Sequence, residues 1–158
     1  MSLLYDDAQL AIAQEARRAL EAQSRTETLL ALLEQTGSYD TGYWMLAKEQ
    51  GWTAATLPEN YGGLGLSLVE LGLIAFQIGR VLAGAPFLTT GFGAARAIAA
   101  HAPVAFQHAW LPRLASGEAI GAVAFAEGQD VLGLAAQWAS DRVTGTKHGV
   151  SGGLCADI

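Results

Sequence analysis

The 158-residue chain is 51% hydrophobic and 15% charged, which is ample for one ordinary domain with a real core and excludes a disordered polymer. A net charge of -6, with only nine Lys and Arg spread along the chain, excludes a duplex-binding face, because that needs clustered cations to neutralise phosphates. A single cysteine, Cys155, excludes an internal disulfide and reads as an inert thiol in a reducing compartment.

The first ten residues, MSLLYDDAQL, have neither the basic n-region nor the apolar h-region of a secretory signal. The longest apolar run, Leu68 to Ala85, is interrupted by Glu70 and Arg80 and is too short to span a bilayer. The expectation is a cytoplasmic protein with no membrane span and no nucleic-acid partner.

Asp6 and Asp7 precede a helix from Ala8 to Ala22, with Leu10, Ile12, Ala13, Ala16 and Leu20 grouped on one face. Ser24-Arg25-Thr26-Glu27 offers a capping box, so either a second helix starts there or the first bends and runs on through Leu33 until Gly37 stops it; two helices are preferred. Asp40 caps a short helix carrying Tyr43, Trp44, Leu46 and Ala47, and Gly51 stands where a left-handed residue closes it.

The chain then enters LPENYGGLGL, Leu57 to Leu66. Pro58 fixes φ, and Gly62, Gly63 and Gly65 are free to take φ > 0, so this is a sharp, ordered connection. Its glycine spacing matches neither a P-loop nor a dinucleotide fingerprint, which leaves a structural turn rather than a phosphate cradle. Ser67-Leu68-Val69-Glu70 is a second capping box, so a helix begins at Leu68. Running to Ala83, it is apolar nearly all round, and Gly72, Ala75 and Gly79 form a smooth strip for close helix approach; it is expected to be the central, most buried helix.

Gly84 and Pro86 end that helix, and Thr89 or Thr90 caps an Ala-rich helix to about Ala100. Pro103 suits the first turn of another, through Gln107, Trp110 and Leu111, which Pro112 kinks or ends; Gly117 closes the helical part. From Glu118 the period shortens to strand-like runs, Ala119 to Ala126, Ala135 to Ser140 and Arg142 to Val150, separated by turns at Gly128-Gln129-Asp130 and Ser140-Asp141. A few strands without partners are marginal alone, so the chain reads as the front part of something longer. The domain division is 1–117, helical, and 118–158, the start of a β domain. His101, His108, His148 and Cys155 have no ligand spacing, which argues against a metal site.

The run GWTAATLPENYGGLGLSLVELGLIAFQIGR, Gly51 to Arg80, followed by WLPRLASGE, Trp110 to Glu118, resembles the amino-terminal helical domain of acyl-CoA dehydrogenases. The resemblance implies a mainly α fold, a helical bundle leading into an incomplete β domain. It also implies an oxidoreductase: FAD-dependent α,β-dehydrogenation of an acyl-CoA thioester, with a flavoprotein electron acceptor and a homo-oligomeric assembly. The family's catalytic base lies in its carboxy-terminal domain, beyond Ile158, so no carboxylate of this chain is assigned that role.

AVAFAEGQD, Ala122 to Asp130, stands where the family has an aromatic, Thr-Glu-Pro and Gly-Ser-Asp against the flavin, which makes Phe125, Ala126 and Glu127 the implied cofactor-binding positions. Ala126 replaces the Thr hydroxyl, and the Pro and Gly-Ser-Asp are absent. Loss of one such hydrogen bond is worth about 0.5–1.5 kcal/mol, a weakening or retuning of flavin binding. The acyl chain of such enzymes lies along the helix after Pro86, which nominates Phe87, Thr89, Thr90 and Gly93 as pocket-lining residues; the competing reading is that Phe87 is core and the threonines are caps. Two further readings stay open: a flavin monooxygenase or oxidase of the same fold, and a non-catalytic helical partner subunit.

Overall fold

The structure, a computed structural model, describes residues 4–23, 26–83, 86–128 and 133–158. Among the described residues, six α-helices are followed by a two-stranded hairpin. α1 spans Asp7–Gln23, and its start is held by a reciprocal pair in which the Gln9 N–H donates to Asp6 Oδ1 at 2.8 Å and the Asp6 N–H to Gln9 Oε1 at 3.2 Å. α2, Thr26–Leu33, is a separate helix, as preferred from the sequence. Its proposed cap at Ser24 and Arg25 lies outside the described residues.

α3, Thr41–Glu49, is capped by Asp40, whose carboxylate accepts from the Tyr43 N–H at 2.9 Å, and is closed by Gly51 at φ 71°. Short 3₁₀ turns at Trp52–Ala54 and Glu59–Tyr61 then carry the chain to α4, Leu68–Arg80. The connection between α3 and α4 is tied to itself: Leu64 N–H donates to Ala54 O at 3.0 Å, Gly65 N–H to Leu57 O at 3.0 Å and Leu66 N–H to Ala55 O at 2.8 Å. A side chain at Gly63 would collide with the Leu57 carbonyl and come within 2.7 Å of its Cβ, so glycine is required there for close backbone approach.

This loop divides two core clusters. Trp52 and Ala55 join α1 (Ala16, Leu20), α3 (Tyr43, Leu46, Ala47), α4 (Leu71, Ile74, Ile78) and Phe87. Ala54, Leu57 and Tyr61 turn the other way, onto α5 (Ala95–His101) and α6 (Val104–Ala115), where Ile98, Leu111 and Leu114 are buried. Two long-range bonds close the end of α6: the Trp44 indole donates to Gly117 O at 3.1 Å and the Thr53 hydroxyl to Ala115 O at 2.7 Å.

Several expectations are corrected. α4 ends at Arg80 rather than Ala83, after which Leu82 takes φ 52°. It is buried on one face only, against α1, while Phe76 on the other is 63% exposed. A Cβ at Gly72 or Gly79 would meet nothing within 4 Å, so they form no strip for close helix approach.

Thr89 and Thr90 cap no helix: helical backbone begins at Phe87, and both threonines lie inside a π-helical segment, Thr89–Ala94, that runs into α5. Pro112 does not end α6, which runs on to Ala115 although the proline offers no N–H to the carbonyl four residues back. Of the strand-like runs, only β1, Gln137–Ala139, and β2, Arg142–Thr144, pair, antiparallel with Trp138 opposite Val143. Ser140 and Asp141 turn between them at φ 51° and 57°, the left-handed pair of a tight hairpin. Residues 119–126 are extended but form no ladder. They are held by scattered bonds instead, Ala122 N–H to Ile158 O at 2.9 Å, Asp157 N–H to Ile120 O at 2.8 Å and His148 N–H to Ala126 O at 2.8 Å.

Candidate functional site

Two features meet where the helical part gives way to extended chain. The first is an apolar cleft of about 670 Å³ between α2 (Leu29, Leu30, Leu32, Leu33), the end of α4 and the residues after it (Ile78, Leu82) and Phe87 to Thr89, lined also by Tyr39, Ser151, Gly152 and Cys155. That volume is within the range of small-molecule sites. Of the nominated pocket residues, Phe87 and Thr89 line it. The Thr89 hydroxyl donates to Pro86 O at 3.0 Å, and Gly152 approaches so closely that a Cβ there would sit 3.0 Å from Thr89 Oγ1.

Thr90 and Gly93 lie elsewhere on the same helix, on the face that meets the extended stretch. Thr90 is 1% exposed, and its hydroxyl both donates to Gly121 O at 3.2 Å and accepts from the Gly121 N–H at 3.1 Å, replacing a ladder partner for that residue. Gly93 faces Val123, whose Cγ2 would be 3.1 Å from a Cβ at that position. Small residues thus let the extended stretch press against the helix.

The second feature is that stretch itself. The N–H groups of Val123, Ala124, Phe125 and Ala126 donate to no acceptor among the described residues, and Phe125 is 62% exposed. Glu127 is different. Its side chain is 5% exposed; one carboxylate oxygen accepts from the Ala135 N–H and, at 2.9 Å, from the Ala136 N–H, and the other pairs with Lys147. Hydrogen bonds from Lys147 and these amides hold the carboxyl down at about 2. The Lys147 ammonium also donates to Phe125 O at 3.2 Å.

Burial pushes the Cys155 thiol up, and its Sγ donates to Gly152 O at 3.2 Å, so it is a poor nucleophile. Burial likewise raises the Tyr39 phenol. His108 packs edge-on against Tyr61 at 5.2 Å, and among the described residues no three His, Cys, Asp or Glu side chains group as metal ligands. No Asp or Glu lines the cleft among the described residues.

Sequence reasoning missed the leucines of α2 and Tyr39 as cleft walls, although Leu29, Leu30 and Leu33 already share helical spacing. It also missed Lys147, for which no local signal exists.

Residues 6–118 match the family model of the acyl-CoA dehydrogenase amino-terminal domain. The chain belongs to the acyl-CoA dehydrogenase family. It is 32% identical over 141 residues to the mitochondrial isovaleryl-CoA dehydrogenase of Arabidopsis thaliana, covering 84% of this chain and 34% of that protein. The fold superposes on an acyl-CoA dehydrogenase from Geobacillus kaustophilus with a TM-score of 0.80 at 22% identity, over 99% of this chain and 43% of the other. It also superposes on a glutaryl-CoA dehydrogenase from Mycobacterium smegmatis in complex with FADH2, with a TM-score of 0.76 at 22% identity, over 93% and 40% of the two chains. The chain therefore spans about a third of this curated relative and about two-fifths of the solved chains. Among the described residues no helix is long and apolar enough to cross a membrane.

Proposed function

We propose that these residues form the amino-terminal part of an FAD-dependent acyl-CoA dehydrogenase acting on acyl-CoA thioesters, and that the helical domain gives way to a β domain near Gly117. The observation that carries the reading is an apolar cleft at Phe87 and Thr89 on the same helix that, through Thr90 and Gly93, holds the stretch leading into Val123 to Ala126, whose amides have no acceptor among the described residues. A flavin ring is flat, apolar on its faces and rich in acceptors along one rim. A stretch with exposed Phe125, a small Ala126 and unspent N–H donors fits it.

FAD, when bound, supplies the two-electron acceptor for the β-hydride of the acyl group. The residues of this chain bind and orient. Phe87, Thr89 and the α2 leucines receive the acyl chain and exclude water. Thr90 and Gly93 hold the helix against the extended stretch, and unspent amides between Val123 and Ala126 would serve the ring. With Ala in place of a hydroxyl at 126, those contacts come from backbone and apolar surface alone. The α-proton needs a base within hydrogen-bond reach, and the cleft supplies none, so that group comes from elsewhere in the polypeptide that carries these residues.

The test is to purify that polypeptide as its source makes it, record its visible spectrum, and assay a panel of acyl-CoA thioesters with an artificial electron acceptor. Bound flavin and turnover are expected. The 158 residues alone, given excess FAD and then gel-filtered, should remain colourless and inactive. A cellular polypeptide that neither retains flavin nor oxidises any acyl-CoA would overturn the reading in favour of a non-catalytic partner.

A further inference from the structure

Residues 125–127 are gripped by two neighbouring segments. Lys147 reaches from the neighbouring segment to the Phe125 carbonyl at 3.2 Å and to the Glu127 carboxylate; the next residue, His148, donates its N–H to Ala126 O at 2.8 Å. The same carboxylate holds the Ala135 and Ala136 amides just before β1. Three segments, with bonds spanning 8 to 22 residues, are thus drawn onto one ammonium and one carboxylate. The Glu127 side chain is 5% exposed and that of Lys147 28% exposed. Breaking such a pair leaves a charge uncompensated, which costs more than the loss of a surface ion pair. The amides of Val123 to Ala126 have no acceptor among the described residues, and the Phe125 ring is exposed.

We propose that Lys147 is a positioning residue, bracing Phe125 and Glu127 so that the stretch from Val123 to Ala126 is preset for the flavin ring. This rests on the flavin reading above. A ring read by backbone amides demands that the strand be fixed to within a fraction of an ångström, because no side-chain hydroxyl at 126 is present to adapt. The cross-brace supplies that rigidity where no β-ladder does. It also gives Glu127 a role without contact to the cofactor: its oxygens are occupied by the chain's own donors.

Lys147→Met keeps the aliphatic stem and removes the charge, Glu127→Gln keeps the shape and weakens the pair, and Lys147→Arg preserves the cation. Two readouts are taken on each variant of the flavin-binding polypeptide, beside its melting temperature. The first is hydrogen exchange at the Ala136 and His148 amides after flavin removal. The second is FAD affinity by quenching of flavin fluorescence. Lys147→Met and Glu127→Gln should lose protection at both amides by tenfold or more and weaken FAD binding at least tenfold, while Leu111 and Leu114 amides in the core are unchanged. Lys147→Arg should restore both readouts to within threefold. Unchanged protection in Lys147→Met overturns the brace, and lost protection with unaltered FAD affinity overturns its role toward the ring. A wild-type polypeptide that binds no FAD would overturn the wider reading instead, which separates the two failures.

Discussion

Gly63 shows how a single position is decided by space rather than by dihedral freedom. Its neighbours Gly62 and Gly65 take φ 81° and 61°, as a glycine-rich turn leads one to expect. Gly63 lies elsewhere, pressed onto the Leu57 carbonyl. Gly63→Val should therefore destabilise by about 1–3 kcal/mol or more through overpacking of backbone against backbone, seen as a lower urea midpoint with unchanged slope. A midpoint equal to that of wild type would show that the loop opens freely. At this scale the run Phe125-Ala126-Glu127 was singled out only through its resemblance to a flavin-contacting motif. The cross-brace to Lys147 was not, because a pair separated by twenty residues leaves no mark on local pattern.

The capping box of α4 is the element most fully written in the sequence: Ser67 and Glu70 predicted both the start of the helix and its reciprocal bonds. Val69 N–H donates to Ser67 Oγ at 3.1 Å, and Ser67 N–H donates to the Glu70 carboxylate at 2.8 Å. The Ser67 hydroxyl, then Gln9 at 2.9 Å, hold the Glu70 carboxyl down at about 2 from its ordinary 4.5. A depressed folded-state pKa contributes stability that is present above 4.5 and lost as pH falls through about 2. Ser67→Ala should cost about 1 kcal/mol at pH 7. The gap between variant and wild type should narrow between pH 4.5 and 2 in denaturant titrations; a constant gap would dissociate the cap from Glu70. The π-helical segment gave no such warning. Phe87, Thr90, Gly91, Ala94, Ala95 and Ile98 are buried at spacings an ordinary α-helix also gives, so widening of the turn is set by packing against the extended stretch and not by periodicity.

Across the whole molecule, the order of helices followed by extended chain was legible, because the apolar period changes after Gly117. What that chain does was not: residues 119–126 have strand composition, but their bonding partners are a threonine hydroxyl and the residues at 113, 147, 148, 157 and 158. Thr90 is the joint between the two parts. Thr90→Val keeps the volume but leaves the buried Gly121 N–H and C=O without partners, and should lower stability by about 1–3 kcal/mol with a melting temperature several degrees lower. Unaltered melting would mean that water replaces the hydroxyl.

The side chains that finish α6 have a bearing on how the protein comes off the ribosome. Trp44 and Thr53 supply donors to carbonyls 73 and 62 residues later in the chain. Synthesis runs from the amino terminus, so both donors and the turn that mounts them are made well before the acceptors emerge. The last turn of α6 therefore emerges when both of its donors have already been made, so its loose carbonyls wait for no later part of the chain.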